Sequence, residues 1–267
     1  MTEPLLAINK LEVVYQRAIT AVQGITLAVQ PGQIVALLGT NGAGKTTTLR
    51  AISGFLGIDD ARVTEGGISF HGAQIHNLPP HEIARRGIVL VPERDKVFPN
   101  LTVAENLVVP LPRRVKNADH ARREDLVYRF FPQLGSLKNR IAGLLSGGER
   151  QMLALGSAIM CEPELLLVDE LSLGLAPVVV EDLLQRLGEI KRELGITILL
   201  VDQSATAALT IADYGYVMEN GHIVLDGTAA RLRGHHDIQE FYLGQAGEAR
   251  RSYRDVKQYR RNRRWYG

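Results

Sequence analysis

A glycine-rich loop between an apolar run and a helix-like segment constrains this chain more than any other feature. The loop covers residues 39–46 (GTNGAGKT) and follows the apolar run at residues 34–38. Its pattern, G-x-x-x-x-G-K-[ST] in a strand–loop–helix setting, is typical of a phosphate-binding loop. Glycines let the backbone curl so that successive N–H groups point at phosphate oxygens, and the following helix adds the positive end of its dipole. The chain is therefore predicted to be an α/β protein that binds a nucleotide.

Individual side chains of this loop have separate predicted tasks. Lys45 is placed to reach the β- and γ-phosphates as a point charge, and the Thr46 hydroxyl is placed to bind Mg²⁺. The alternative, an incidental turn, is disfavoured because the segments on both sides have the required character. The predicted nucleotide ligands in and beside the loop are Gly39, Asn41, Gly42, Ala43, Gly44, Lys45, Thr46 and Thr47.

Two carboxylates follow a second apolar run, at residues 165–170 (LLLVDE). Burying either carboxylate without a partner would be costly, so both are expected at the strand tip, facing something cationic. With a phosphate loop in the same chain, Asp169 is predicted to bind the metal ion. Glu170 is predicted to act as general base toward water.

A glycine pair at the start of a predicted helix forms another candidate site, at residues 145–151 (LSGGERQ). Ser146 and Glu149 have the spacing of a capping box, and Gly147 and Gly148 leave the first turn without side chains. A bare, capped helix N-terminus is where an anion can approach. An ordinary capped helix explains this segment equally well when the segment is taken alone.

The rest of the chain places these motifs in an alternating α/β pattern. The apolar run at residues 88–91 predicts a buried strand that ends in a charged loop containing Glu93. Residues 97–160 have helical character and no strand-like run, so they predict an inserted helical subdomain. Tyr15 ends an earlier β-rich segment, where it could stack on adenine or simply pack against its neighbours.

Composition excludes several other classes of protein. Apolar residues make up 45% and charged residues 22% of the chain, which is ordinary for a globular protein. The single cysteine, Cys161, excludes an internal disulfide and a cysteine metal cage. The histidine spacings match no metal motif. No secretory signal or membrane span is recognisable, so we expect a cytosolic location.

Charge is unevenly distributed along the chain. Residues 250–267 contain eight Arg or Lys and one Asp, with four aromatic side chains among them. This tail carries +7, so the rest of the chain must carry −5 to give the overall +2. A basic and aromatic tail suits an anionic lipid surface, and a solvated extension explains it equally well. Nucleic acid is the least favoured partner of the tail.

Together, these motifs resemble those of the ATP-binding cassette (ABC) ATPases over about residues 5–245. The phosphate loop is similar to the Walker A motif, residues 165–170 to the Walker B motif with its catalytic glutamate, and residues 145–151 to the signature motif. The signature motif is more specific than a phosphate loop. Tyr15 corresponds to the adenine-stacking aromatic residue, and residues 172–175 fall at the position of the D-loop.

The resemblance implies a particular architecture and set of ligands. We expect a P-loop NTPase core of the ABC type, with an N-terminal antiparallel β-subdomain and an α-helical subdomain inserted at about residues 97–160. The ABC ATPase domain is expected to cover residues 1–245, followed by the basic tail at residues 246–267. ATP and Mg²⁺ are the implied ligands.

Three positions depart from the general family pattern. Glu93 replaces a loop glutamine, Gln203 replaces the switch histidine, and Leu171 replaces a proline. With these departures, the chain resembles ATP-binding subunits of uptake transporters for branched-chain amino acids and of their urea or amide relatives. Glu93 keeps an oxygen for Mg²⁺ or the attacking water. Gln203 can donate an N–H to the γ-phosphate but cannot take up a proton, so Glu170 remains the one strong base candidate.

The resemblance also implies partners. In the family the signature of one copy, here Ser146, Gly147, Gly148 and Glu149, closes on ATP that is held by another copy. With one phosphate loop and one signature, the chain is expected to pair with an identical or paralogous cassette. The other implied partners are integral membrane permease subunits and, indirectly, a periplasmic or extracellular solute-binding protein. The chain itself is then expected at the cytoplasmic face of the membrane.

Other classes of ATPase remain as alternatives. A soluble ABC ATPase acting on ribosomes or nucleic acid usually has two cassettes or long insertions, and this sequence has neither. A small-molecule P-loop kinase leaves the signature motif unexplained. If the chain serves a transporter, Phe98 is predicted to lie near the groove that receives the permease.

Overall fold

The computed structural model describes residues 3–94, 96–111 and 117–234, without the side chains of residues 117 and 118. The basic tail and the predicted domain boundary near residue 245 therefore lie outside the described residues. Within the described part, no helix has both the length and the apolar character needed to cross a membrane. The described strands are β1 (Leu6–Tyr15), β2 (Ile19–Val29), β3 (Ile34–Gly39), β4 (Ala61–Phe70), β5 (Ala73–Gln74), β6 (Ile88–Val91), β7 (Leu165–Asp169), β8 (Thr197–Asp202), β9 (Tyr214–Glu219) and β10 (His222–Thr228).

Helices cover the faces of the sheets and build the inserted block. They are α1 (Lys45–Ser53), α2 (Pro80–Arg85), α3 (Val103–Val108), α4 (Asn117–Phe130), α5 (Pro132–Ser136), α6 (Gly147–Met160), α7 (Pro177–Leu194), α8 (Ala205–Ile211) and α9 (Ala229–Arg233). Two short 3₁₀ helices lie at Phe55–Asp59 and Ala142–Leu144. The four α-helices α3 to α6 make up the predicted helical subdomain in the described part of the chain.

The N-terminal strands form an antiparallel sheet in the order β2-β1-β4-β5. The sequence predicts β-rich segments at residues 25–29 and near Gly66, whereas β2 begins at Ile19, six residues earlier, and β4 begins at Ala61. Both strands continue as paired backbone beyond their most apolar residues, through register shifts on the two sides of β1. The expected β-subdomain is confirmed, with longer strands than the sequence indicated.

A second sheet, of mainly parallel strands, forms the centre of the molecule in the order β10-β9-β3-β8-β7-β6. Strand β3 lies between β8 and β9, parallel to both, and all six of its residues are buried. Its alternate side chains enter different cores: Ala36 packs on the side of the helical block, and Leu37 on the side of α1 and the antiparallel sheet. A strand buried on both faces is the arrangement that near-continuous apolar runs predict.

The order of strands brings several carboxyl ends to one edge. Strands β3, β7 and β8 are neighbours and parallel, so the segments that follow them emerge side by side. Those segments contain the phosphate loop, Glu170 and Gln203. Ligands of open α/β sheets bind at this edge.

Candidate functional site

The phosphate loop is braced by two other parts of the chain. Gly44 has a φ of 103° and is the N-cap of α1. A Cβ at Gly44 would lie 2.7 Å from the Ala21 carbonyl oxygen and 2.7 Å from Cε of Met218. The amide of Gly221, in the β9–β10 turn, donates to the carbonyl oxygen of Ala43 at 3.0 Å. Strand β2 and the β9–β10 hairpin therefore fix the loop, and only glycine fits at position 44.

Lys45 is folded back across this loop. Its Nζ donates to the carbonyl oxygens of Gly39 at 2.9 Å and Thr40 at 3.2 Å. The same nitrogen lies 3.1 Å from Oε1 of Glu170, and both side chains are buried. The lysine is therefore held at the mouth of the loop by acceptors that a phosphate group can replace.

The two carboxylates after β7 occupy different positions. Oδ1 of Asp169 accepts a hydrogen bond from the Thr46 hydroxyl at 3.2 Å, which joins β7 to the start of α1. Burial raises the pKa of Asp169 to about 6, and the hydrogen bond from Thr46 opposes the shift. Two of the three residues predicted to hold the metal ion, Thr46 and Asp169, are thus in contact.

Glu170 sits at a strained point of the backbone. Its φ is +49°, in the left-handed region that side chains other than glycine rarely adopt. Its amide donates to the Val201 carbonyl at 2.8 Å, and its Oε2 accepts from the backbone N–H of Gln203 at 3.3 Å. Burial raises the pKa of Glu170, and the Lys45 ammonium opposes that rise. The carboxylate is thereby aimed at the phosphate loop and away from solvent.

These side chains surround a cavity of about 560 Å³. The described residues that line it are Ala21, Asn41, Gly42, Gly44, Lys45, Thr46, Thr47, Glu93, Arg94, Glu170, Leu173 and Gln203. Tyr15 stands beside this lining, since its hydroxyl is 3.2 Å from Oγ1 of Thr47. Gly39 and Ala43 belong to the loop beneath it. The structure therefore gathers most of the predicted phosphate residues, Thr46, Glu93 and the base around one opening. Asp169 is not among the described lining residues and touches the site through its hydrogen bond with Thr46.

The glycine pair of the second motif lies elsewhere. Ser146 and Glu149 form the predicted capping box: Oγ of Ser146 accepts from the Glu149 amide at 3.3 Å, and Oε2 of Glu149 accepts from the Ser146 amide at 2.7 Å. A Cβ at Gly147 would lie 3.1 Å from Cδ2 of Leu175. Ser146, Gly147, Gly148 and Glu149 are absent from the described lining of the cavity. The capped start of α6 is therefore not part of the cavity lining in the described part of the chain.

Comparison with known proteins decides the family. The sequence profile of the family "ABC transporter" matches residues 22–172, which is more than half of the chain. This chain is an ABC transporter ATPase. The phosphate loop, the Asp169–Glu170 pair and the capped glycine motif are thus parts of an ATP-hydrolysing cassette.

Curated relatives of this ABC ATPase cover nearly its whole length. The high-affinity branched-chain amino acid transport ATP-binding protein BraG of Pseudomonas aeruginosa is 40% identical, over 90% of this chain and 100% of BraG. The probable branched-chain amino acid transport ATP-binding protein LivF of Archaeoglobus fulgidus is 37% identical, over 81% of this chain and 89% of LivF. The lipopolysaccharide export system ATP-binding protein LptB of Haemophilus influenzae is 32% identical, over 84% and 91%.

Solved structures agree with this assignment. The ADP conformation of MJ1267, an ATP-binding cassette of an ABC transporter, superposes with a TM-score of 0.78 at 27% identity, covering 91% of this chain and 100% of MJ1267. A nucleotide-free ATP-binding cassette from an ABC transporter gives a TM-score of 0.77 at 27% identity, covering 92% and 100%. The expected ABC-type fold is confirmed.

The position of Glu93 gives this ABC ATPase an additional carboxylate. Glu93 lines the cavity and pairs with Arg94, with 3.1 Å between Oε1 and Nε of the arginine. Lys96 leaves the same loop and donates to Gln151 near the start of α6. The loop after β6 thus connects the cavity to the capped helix α6. Within this loop, Arg94 partly balances the negative charge of Glu93.

Sequence reasoning missed some of the lining. Ala21 lines the cavity, yet an alanine in a half-exposed strand has no pattern that marks it. Leu173 also lines the cavity, and the sequence assigned it to the position of the D-loop without predicting a contact with the nucleotide. Arg94 belongs to a charged loop that the sequence did single out, but without a role. Asp202, buried beside the site, also carried no motif.

Proposed function

We propose that this ABC ATPase is the energy subunit of an importer for branched-chain amino acids or related small solutes. The separation between the cavity and the capped glycine motif carries the proposal. The cavity gathers the phosphate loop, Glu170 and Gln203, whereas Ser146 to Glu149 are not among its described lining residues. A second cassette would then complete the ATP site, and ATP would draw the two cassettes together. The similarity to BraG over nearly the whole chain favours import over export or a soluble role for the ATP-driven closure of two cassettes.

The residues that line the cavity fit Mg²⁺ and ATP. The Thr46 hydroxyl and the Asp169 carboxylate, 3.2 Å apart, are hard oxygen ligands of the kind that Mg²⁺ takes, and Glu93 can add a third. Mg²⁺, when bound, would neutralise charge on the β- and γ-phosphate oxygens. Lys45 would exchange its bond with the Thr40 carbonyl and its pair with Glu170 for the phosphates. Tyr15, near Thr47, would stack on adenine.

Glu170 would then act as the general base. Its carboxylate is buried and is oriented by the backbone N–H of Gln203, so it can accept a proton from water at the γ-phosphate. The Gln203 side chain would donate to the same phosphate and report its presence. Ser146, Gly147, Gly148 and Glu149 would bind the nucleotide of the partner cassette through the bare N-terminus of α6.

The permease would dock beside the loop after β6. Phe98 is 55% exposed, at the entrance to the helical block, and lines an apolar groove with Val109 and Pro110. We place the subunit at the cytoplasmic face of the membrane, held by the permease and by contact of the basic tail with anionic lipid. The solute-binding protein would act from the other side and not touch this chain.

Co-purification from gently solubilised cells tests this proposal. The tagged full chain should bring integral membrane permease subunits and a second cassette, and Phe98→Ser should lose the permease. Ile19→Ser removes a comparably exposed apolar side chain from β2 and is the matched control, which should retain it. Recovery of lipopolysaccharide export subunits would contradict the importer proposal and assign the chain to an exporter. Ribosomes or nucleic acid without membrane proteins would support the soluble class instead.

A further inference from the structure

A buried carboxylate behind the site joins two loops that the ATPase mechanism leaves unconnected. Asp202 is the last residue of β8, directly before Gln203, and is 1% exposed. Its Oδ1 accepts from the Ser172 hydroxyl at 2.7 Å and from the Ser204 amide at 2.7 Å, and its Oδ2 accepts from the Ser172 amide at 3.2 Å. A carboxylate this deeply buried is costly unless such donors surround it.

Both loops reach the ATP site. On one side, Ser204 is the N-cap of α8 and Gln203 lines the cavity, with its amide on Glu170. On the other side, Ser172 lies two residues after Glu170 and begins the loop that carries Leu173, which also lines the cavity. Asp202 therefore ties the loop that follows the base to the turn that carries Gln203, without itself being among the described lining residues of the cavity.

The contacts continue from this loop to the capped helix. The amide of Leu175 donates to the Ser172 carbonyl at 3.3 Å, which closes the loop into a turn. A Cβ at Gly147 would meet Leu175 at 3.1 Å, and one at Gly148 would meet Val179 at 2.8 Å. Leu175, in the loop anchored by Asp202, thus packs beside Gly147 in the first turn of α6, and Val179 of α7 packs beside Gly148.

We propose that Asp202 is a positioning residue for ATP hydrolysis, which locks the loop at residues 172–176 to the turn at residues 203–204. Through this lock, Glu170 and Gln203 keep their mutual orientation, and their arrangement is transmitted to the glycine pair of α6. The proposal rests on the ATPase activity and on the role proposed for Glu170, and not on what is transported.

Kinetics of the full chain test the lock. Asp202→Asn keeps the size of the side chain but replaces an acceptor oxygen by an NH₂ group that faces donors. We expect kcat to fall about tenfold, with KM for ATP within about twofold of wild type, because Asp202 orients the reacting groups and does not hold the nucleotide. Asp213→Asn is the matched control, since Oδ2 of Asp213 accepts from the Ile34 amide at 2.8 Å at the opposite end of β3. The control should lower thermal stability and leave kcat unchanged.

Measuring the coupling between the two loops distinguishes a lock by Asp202 from a purely local hydrogen bond to the turn at Ser204. Ser172→Ala removes one donor to Asp202, and combining it with Asp202→Asn should cost no more than Asp202→Asn alone, because the lock is already open. Hydrogen exchange should accelerate at residues 203–206 in Ser172→Ala, and at both loops in Asp202→Asn, even in preparations with little turnover. Multiplying kinetic effects, or exchange changes confined to the mutated loop, would overturn the proposal. Full ATPase activity in Glu170→Gln would instead refute the assignment of Glu170 as the base. Hydrogen exchange in the Asp202 and Ser172 variants would still test whether Asp202 links the two loops.

Discussion

Neutralising Glu170 should strengthen ATP binding and strongly lower the rate of ATP hydrolysis. The ammonium of Lys45 and the carboxylate of Glu170 are 3.1 Å apart and buried, at 4% and 6% side-chain exposure. At an effective dielectric constant of 20 their attraction is about 5 kcal/mol, and desolvation of both charges cancels most of it. When ATP binds, its phosphates compete with Glu170 for Lys45. The negative charge of the phosphates is also repelled by the nearby Glu170 carboxylate. With about 1.4 kcal/mol remaining after cancellation, Glu170→Gln should bind ATP about tenfold more tightly.

Turnover should change in the opposite direction. Loss of a general base typically lowers the rate about 10²- to 10⁴-fold, so phosphate release by Glu170→Gln should fall within that range. Glutamine still offers an oxygen to Lys45, and the Gly39 and Thr40 carbonyls retain their bonds to it, so the variant should fold. Thermal unfolding checks this point.

Titration calorimetry with Mg·ATP and a phosphate-release assay measure the two effects. Glu193→Gln is the matched control, because Glu193 pairs with Arg129 at 2.7 Å on the surface and should affect neither quantity. Weaker ATP binding by Glu170→Gln would show that the buried pair does not compete with the nucleotide. Turnover near the wild-type rate would assign the base to another group.

Three further perturbations test separate parts of the structure. Lys45→Ala should weaken ATP binding in the same calorimetric titration, and unchanged affinity would count against the phosphate cradle. Since the pKa of Asp169 is raised to about 6, Mg·ATP binding near pH 6 should release protons, and this release should vanish above about pH 8; calorimetry in two buffers of different ionisation enthalpy measures it. Gly156→Ala places a Cβ 2.8 Å from Cγ1 of Val127, so despite better helix propensity it should destabilise the helical block by about 1–2 kcal/mol in denaturant unfolding.

Local patterns predicted several elements of the fold well. The strand at residues 88–91 has the predicted bounds, because Gly87 and Pro92 end an apolar run on both sides. Thr102 and Glu105 have the same capping-box spacing as Ser146 and Glu149, and Asn220-Gly221 between two apolar runs predicts a hairpin. Both capping boxes and the hairpin are present, since each depends on residues within a few positions of one another. The phosphate loop and the carboxylate pair are also local signals.

Contacts between distant segments could not be predicted in this way. Ala21 closes on Gly44 only because β2 crosses the phosphate loop, and no local pattern encodes that crossing. Asp202 meets Ser172 because β7 and β8 are neighbours in the sheet, an order that emerges from packing. The short helix Ala205–Ile211 was missed because its seven residues, six of them small or β-branched, have too little periodicity to reveal it.

The bracing of the phosphate loop sets the time at which a growing chain becomes able to hold ATP. The loop is synthesised early, yet its shape depends on Met218 against Gly44 and on the Gly221 amide at the Ala43 carbonyl. A nascent chain that ends before the β9–β10 hairpin has every loop residue and none of this support. Nucleotide competence therefore arrives with the last strands of the sheet. ATP-dependent protection from a protease should accordingly appear only in chains that extend past residue 221.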